Sequence, residues 1–213
     1  DADAHLMFPA YYGRTTDIAE VHMLTSRDGH HWQRPIRDPV VPAGPPGSDS
    51  EAGYYAGAGL VSMRSGQVSL PVGPEWHTHN ESHFPPSGAP RHTGYLTLAT
   101  WRRDGFTSLE AESAGSFTTV PFTFEGGRLQ VNAWTRFGGE LSVELVDAST
   151  ASMREAGDTV AGRTFADCDA ITGDHLETTI SWNGDSDLSA WAGKRVRLRV
   201  RMRRARLYAL QFV

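Results

Sequence analysis

The residues best suited to chemistry lie in one polar loop of the first half of the chain, EWHTHNESH. It contains Glu75, His77, His79 and His83, and His92 follows shortly after. His77 and His79 are two positions apart, so on an extended backbone their side chains share a face. Two imidazoles and a carboxylate suit a transition metal, and loop imidazoles also hydrogen-bond polar ligands. The loop therefore favours ligand binding, with a metal site and an ordinary solvated loop as the alternatives.

A second candidate is the stretch SRDGHHW, which contains a carboxylate and two adjacent histidines. Asp28 can accept hydrogen bonds from backbone N–H groups of a turn, Gly29 can take a positive φ, and Trp32 can pack on the returning strand. His30 and His31 point to opposite faces of a strand, so they do not easily share one metal ion. We predict a structural hairpin turn here and no active site.

The bulk composition excludes two classes of function. The chain has 213 residues and a net charge of −5 at pH 7, whereas broad nucleic-acid binding needs a basic surface. Its apolar runs are far shorter than the roughly 18 residues of a membrane helix. We therefore predict neither nucleic acid nor a membrane as a partner. Cys168 is the only cysteine, so an intrachain disulfide is impossible.

The elements that must position these residues are strands. The chain has 22 glycines and 12 prolines, and short apolar alternations separated by turn residues recur along it, which predicts an all-β protein. Residues 1–103 show short strands between long loops, whereas residues 104–213 show regular strands. We therefore predict two different domains with a boundary near residue 103.

The most regular strand is RVRLRVRM, residues 195–202, in which aliphatic residues alternate with arginines. Because the side-chain period of a strand is two, the pattern predicts one buried and one solvated face. We expect the arginines to be neutralised across the sheet by Glu140, Glu144 and Asp147 of ELSVELVD. The alternative is a patch that binds a glycan, a phosphate or a nucleic acid.

Several of these segments resemble one family of proteins. The SRDGHHW turn resembles the Asp-box of sialidase-type propellers, and is closer to the S-R-D-G-x-x-W-x-R turn of five-bladed-propeller glycosidase-like proteins of the fructosidase and arabinosidase superfamily. GYLTLATWRRDGFTSL is similar to the junction between propeller and sandwich in those proteins. DLSAWAGKRVRLRVRMRRARLYALQF resembles the end of their sandwich. The resemblance covers about residues 3–213 and is weaker over residues 43–92.

The resemblance implies a partial β-propeller over residues 1–103 and a jelly-roll-like β-sandwich over residues 104–213. A blade takes roughly 40–50 residues, so the first part has room for about two blades. The family's first blade is not represented in the sequence. We expect the propeller to be completed by preceding residues, by a second chain or another copy of this one, or not at all.

The resemblance also implies a carbohydrate-active protein that hydrolyses glycosidic bonds with a pair of carboxyl groups, one acting as acid and one as base. Asp49 and Glu51, in GPPGSDSEAGYY, lie where relatives carry an acidic loop residue, and with Glu75 they are the candidate catalytic residues. The alternative for this loop is a polar, turn-forming segment. The alternative for the whole protein is a non-catalytic carbohydrate-binding or assembly module with an incomplete propeller.

Aromatic planes suit the apolar faces of sugars, and histidines can hydrogen-bond sugar hydroxyls. The substrate-binding candidates are therefore the aromatic and imidazole side chains of the two loops: Tyr54, Tyr55, Trp76, His77, His79 and His83. The alternative for the aromatic residues is that they pack in the core. We predict no cofactor and no bound metal. The resemblance implies export, whereas the residues themselves indicate no compartment.

Overall fold

The structure is a computed structural model that describes residues 4–83, 94–149 and 157–213, with only the backbone of residues 82 and 83. It confirms the predicted all-β class, because strands form nearly all of its regular structure. The chain divides into two compact units, Asp1–Arg102 and Arg103–Val213. None of the helices in the described ranges is long and apolar enough to cross a membrane.

The described part of the first unit contains short strands and one helix. They are β1 (His5–Met7), β2 (Ala10–Gly13), β3 (Ile18–Val21), β4 (Leu24–Ser26), β5 (Trp32–Gln33), β6 (Gly53–Ala56), β7 (Val61–Ser62), β8 (Gln67–Glu75), α1 (His79–His83) and β9 (Thr97–Arg102). One sheet has the order β1-β4-β5, and the other has the order β2-β3-β6-β8-β7 with β9 beside β8. Whether these sheets are propeller blades stays a prediction.

Strands β1 to β4 are the two arms of one long hairpin. Met7 lies opposite Leu24 and Ala10 lies opposite Val21, so both halves follow a single register. The hairpin joins the rest of its unit through a parallel contact between Ala19 and Gly53. Gly53 has φ +109°, and a Cβ atom there would lie 1.6 Å from the carbonyl oxygen of Ala19. The crossing therefore requires glycine at this position.

The second unit is built on two very long strands. Its elements are β10 (Leu109–Thr118), β11 (Leu129–Asp147), β12 (Asp158–Thr159), β13 (Asp174–Thr179), a 3₁₀ helix (Ser189–Trp191) and β14 (Val196–Phe212). The described strands form one antiparallel sheet in the order β10-β14-β11-β12, with β13 also paired to β11. The two-layered sandwich stays a prediction.

β11 merges two segments, RLQVNAWT and ELSVELVD, that the sequence pattern predicts as separate strands. The intervening RFGG does not end the strand. It is accommodated by a register shift between Thr135 and Glu140, with Gly138 at φ +71°. An irregularity of this kind bends a strand and increases its twist without ending the ladder.

The apolar face predicted for β14 is confirmed. Val196, Leu198, Val200 and Met202 are all buried, and they pack into the main core of the second unit. The largest fully buried side chain of that core is Trp182, whose indole Nε1–H donates to the carbonyl oxygen of Val143 at 2.9 Å. Its one polar group is therefore hydrogen-bonded, as burial requires.

The arginine face of β14 differs in part from the prediction. Arg199 forms the expected cross-strand ion pair with Glu144, at 2.9 Å between Nη1 and Oε1. Arg197, however, is buried, and its Nη1 donates to the carbonyl oxygen of Thr119 at 3.0 Å. The expectation of a solvated face is wrong there, because the segment around Thr119 covers that arginine.

Candidate functional site

The candidate site in the first unit is organised around the carboxylate of Asp17, in the turn between β2 and β3. The phenol of Tyr12 donates to its Oδ1 at 2.6 Å. The backbone N–H of Asn80 donates to Oδ2 at 2.9 Å, and the Asn80 side-chain amide donates to Oδ1 at 2.7 Å. Hydrogen bonds from the Thr78 hydroxyl, from Tyr12 and from Asn80 hold the pKa of Asp17 below its ordinary value.

Helix α1 presents His79 and Asn80 to this carboxylate, and its start is encoded locally. Thr78 and Glu81 have the spacing of a capping box, and the backbone N–H of Thr78 donates to Oε2 of Glu81 at 3.3 Å. The backbone N–H of His79 donates to the carbonyl oxygen of Asp17 at 3.0 Å. The His-rich loop is thereby attached to the hairpin by side-chain and backbone bonds together.

Three rings gather beside the carboxylate. The phenol oxygen of Tyr55 lies 2.9 Å from Nδ1 of His79, and the rings of Tyr12 and His79 lie 4.9 Å apart at 52°. Partial burial raises the pKa of Tyr55, and the negative charges of Glu75 and Asp17 raise it further. Glu75 lies opposite Gly53 in the β6–β8 pair, so its side chain shares a face of the sheet with Tyr55. This group of side chains is called the Tyr12–His79 cluster: Tyr12, Asp17, Tyr55, Glu75, His79 and Asn80.

The other predicted sugar-binding residues are Tyr54, Trp76, His77 and His83. The side chain of Tyr54 points to the face of β6 opposite that of Tyr55, and it packs against the small core of the first unit. Trp76 is exposed, with 39% of its surface accessible, and His77 is half-buried. His83 ends α1, and its side chain lies outside the described residues, as does His92.

The predicted catalytic carboxylates are placed in three different ways. The Asp49 carboxylate accepts a hydrogen bond from the phenol of Tyr95. The Glu51 carboxylate accepts the backbone N–H of Gly47 at 2.6 Å, which closes its own turn. Glu75, in β8, lies opposite Gly53 and therefore on the same face of the sheet as Tyr55. Of the three, Glu75 is the one that the structure brings to that cluster.

Within the described ranges, the carboxyl groups with shifted pKa values are all shifted in one direction. Each has its pKa lowered, with hydrogen bonds to its charged form as the leading cause: Asp17, Asp28, Asp147, Asp167, Asp169, Asp185 and Asp187. A glycosidase acid needs the opposite shift, so that it stays protonated at neutral pH. These seven groups therefore suit structural or ligand-binding roles.

The described ranges contain no group of three or more His, Cys, Asp or Glu side chains that could hold a metal ion. The imidazole of His79 instead contacts the Tyr55 hydroxyl and the Tyr12 ring. The described contacts of the His79 ring are therefore one hydrogen bond and one ring contact.

The SRDGHHW turn has the predicted geometry. Oδ1 of Asp28 accepts the backbone N–H groups of His30 at 2.9 Å and His31 at 2.7 Å. Gly29 has φ +73°, and the indole of Trp32 donates to its carbonyl oxygen at 3.1 Å. The Asp28 side chain is thus occupied within the turn, and hydrogen bonds from the His31 ring and these backbone groups lower its pKa.

Tyr12, Asp17 and Asn80 are members of the cluster that sequence reasoning did not single out. The capping box at Thr78 and Glu81 was a readable signal for α1. Asp17 and Asn80, in contrast, are 63 residues apart, and the local sequence around either residue does not predict their hydrogen bonds.

No family model, no curated protein and no solved structure matches this chain. The relation to propeller glycosidases therefore stays a prediction from the motifs.

Proposed function

We propose that this chain is a carbohydrate-active protein and that the Tyr12–His79 cluster contacts the sugar. The observation that carries the proposal is the gathering of exposed aromatic rings around a fixed polar network. Tyr12 and Tyr55 each keep 37% of their surface accessible, and both contact His79, while Tyr12 also bonds Asp17. Sugars present apolar faces rimmed by hydroxyl groups, so this combination of surfaces suits them.

The network supports binding because it is already organised. Hydrogen bonds orient Tyr12, Asp17 and Asn80 relative to one another, and the Tyr55 hydroxyl is directed at His79. A binding surface that is fixed before the ligand arrives loses less conformational entropy on binding. Glu75 adds a carboxylate that can accept hydrogen bonds from sugar hydroxyls.

The binding experiment is a titration of the chain with a panel of neutral mono- and oligosaccharides, followed by calorimetry and by amide chemical shifts. Tyr55→Ala and Tyr12→Ala should each weaken binding roughly tenfold, as expected for loss of one aromatic contact. Tyr11→Ala is the matched control, because Tyr11 lies on the same strand but contacts His22 and Arg34. A panel without any binder, or an equal loss in Tyr11→Ala, would contradict the proposal.

Hydrolysis of a glycosidic bond is the second candidate function, favoured by the placement of Glu75 beside the cluster. In this proposal Glu75 is one member of the carboxyl pair. Glu75→Gln should then reduce the release of reducing sugar at least a hundredfold, as loss of an acid or base does, while saccharide affinity changes little. If the parent chain binds saccharides without hydrolysing them, the function that remains is that of a non-catalytic binding module.

A further inference from the structure

Three rows of residues cross the polar face of the second unit's sheet, each centred on an arginine of β14. Across β10, β14 and β11 the rows are Thr118–Arg199–Glu144, Ser116–Arg201–Ser142 and Ala114–Arg203–Glu140. Directly opposed residues share a face of the sheet. The two outer arginines face glutamates and form ion pairs with them, whereas the central arginine faces a serine on each side.

Arg201 is therefore a cation that the sheet does not neutralise. It is exposed, and within the described part of the chain it has no carboxylate at ion-pair distance. Its guanidinium lies 4.0 Å from the centre of the Phe165 ring. Stacking on a ring occupies the face of a guanidinium and leaves its N–H edges available for an acceptor in the same plane.

These residues line a groove of about 560 Å³, which includes Ser116, Ser142, Phe165, Arg201 and Arg203. That volume lies within the range of ordinary small-molecule sites. Glu140 also lines the groove, and it is paired with Arg203 at 3.4 Å. The charged groups among the described lining residues therefore sum to one excess positive charge, located at Arg201.

The wall opposite the sheet is held in place. The backbone N–H of Phe165 donates to Oε2 of Glu144 at 3.3 Å, and Glu144 also pairs with Arg199. The preceding residue, Thr164, is also held in place, because its hydroxyl donates to Oδ2 of Asp167 at 2.7 Å. The ring that orients Arg201 is thus fixed by the same unit that supplies the serines.

We propose that this groove binds a small ligand carrying an oxyanion, which pairs with the Arg201 guanidinium and accepts hydrogen bonds from Ser116 and Ser142. Arginine recognises carboxylate, sulfate and phosphate through paired N–H donors, and hydroxyl groups supply the remaining bonds. The groove has room for a ligand body as well as the anionic group. This site lies in the second unit and does not depend on the function proposed for the first.

The test uses the full chain, titrated with D-glucuronate, D-glucose 6-sulfate, D-glucose 6-phosphate, inorganic phosphate and D-glucose. At least one anionic probe should shift the amide signals of Gly115, Ser116 and Ser142, more weakly as salt is added, and glucose should not. Differences among the anionic sugars identify the oxyanion, and inorganic phosphate shows whether the anion alone suffices. The proposal is overturned if no anionic probe shifts these signals.

Arg201→Gln should weaken binding of the best probe roughly tenfold or more, and Arg201→Lys should recover part of it, because lysine retains the charge but not the fork. Arg204→Gln is the control: it removes an equal charge from the same strand at an exposed position outside the groove lining. Equal weakening by both substitutions would mean non-specific attraction. Ser142→Ala provides a second, milder variant with the same expectation of weaker binding, should Arg201→Gln fail to fold.

Discussion

The phenol of Tyr12 and the carboxylate of Asp17 form a 2.6 Å hydrogen bond across the turn between β2 and β3. The same carboxylate accepts two hydrogen bonds from Asn80, 63 residues further along the chain. The Asp17 side chain therefore connects the β1–β4 hairpin to the helix that carries His79, together with the backbone bond from the His79 N–H to the Asp17 carbonyl oxygen. The Tyr12–His79 cluster depends on that connection.

Asp17→Asn should weaken the attachment of α1 to the hairpin. An amide offers one acceptor oxygen where the carboxylate offers two, so the bonds from Tyr12 and Asn80 cannot all be kept. We expect faster hydrogen exchange at the amides of His79 and Asn80, a lower melting temperature and weaker saccharide binding. Asp38→Asn, at an exposed position, is the control and should leave all three unchanged. Unaltered exchange in Asp17→Asn would contradict the role given to Asp17.

The lowered pKa of Asp17 predicts a dependence of stability on acid. In the unfolded chain this group titrates near its ordinary value of 3.8, and in the folded chain it titrates below that value. The unfolded state therefore binds the proton more readily, so the stabilisation is fully present above pH 3.8 and is lost as the pH falls through the folded pKa. Melting curves taken into acid should show a smaller loss of stability in Asp17→Asn than in the parent chain. The opposite ordering would be incompatible with a lowered pKa.

The two glutamates of β11 that face arginines should differ in their contribution to stability. Glu144 is buried and accepts hydrogen bonds from Arg199, Phe165 and Thr159, so Glu144→Ala should cost about 2 kcal/mol or more of unfolding free energy. Glu140 is half-exposed beside Arg203, so Glu140→Ala should cost about 1 kcal/mol or less of unfolding free energy. Chemical denaturation of both variants measures the difference, and equal losses would show that burial does not matter here.

Trp182→Phe should destabilise the second unit by about 2–3 kcal/mol. The substitution leaves a cavity and removes the donor that satisfies the carbonyl oxygen of Val143, and each loss costs on the order of 1–2 kcal/mol. Trp76→Phe, at an exposed position, is the control and should change the unfolding free energy by less than about 0.5 kcal/mol. A similar effect of both substitutions in chemical denaturation would argue against the Trp182 environment described here.

Gly53→Ala should disrupt the first unit. The new Cβ atom would lie 1.6 Å from the carbonyl oxygen of Ala19, so the strands must separate. Gly59→Ala is a matched control, because Gly59 also has a positive φ, at +75°, but has nothing within 4 Å of the added carbon. Gly59→Ala should lower the unfolding free energy by only about 1–2 kcal/mol, which is the cost of placing an alanine in the left-handed region. A thermal melt that ranks Gly59→Ala as the more damaging change would refute the crossing geometry.

Features that depend on neighbouring residues could be predicted from the local sequence. The two-residue alternation of RVRLRVRM assigned Val196, Leu198, Val200 and Met202 to the core, because successive side chains of a strand point to opposite faces. SRDGHHW specified its own turn, since the donors and acceptors of Asp28 and Gly29 lie within a few residues of one another. The all-β class follows from many such local signals.

The contacts between polar groups, in contrast, depend on how distant segments pack. The bond between Asp17 and Asn80, the burial of Arg197 and the serine neighbours of Arg201 all depend on the register between segments that are distant in sequence. The packing also separated Glu75, which shares a face of the sheet with Tyr55, from Asp49 and Glu51, whose side chains are held by Tyr95 and Gly47. Side-chain periodicity specifies the face on which a residue lies, whereas the partner opposite it is set only when the strands pair.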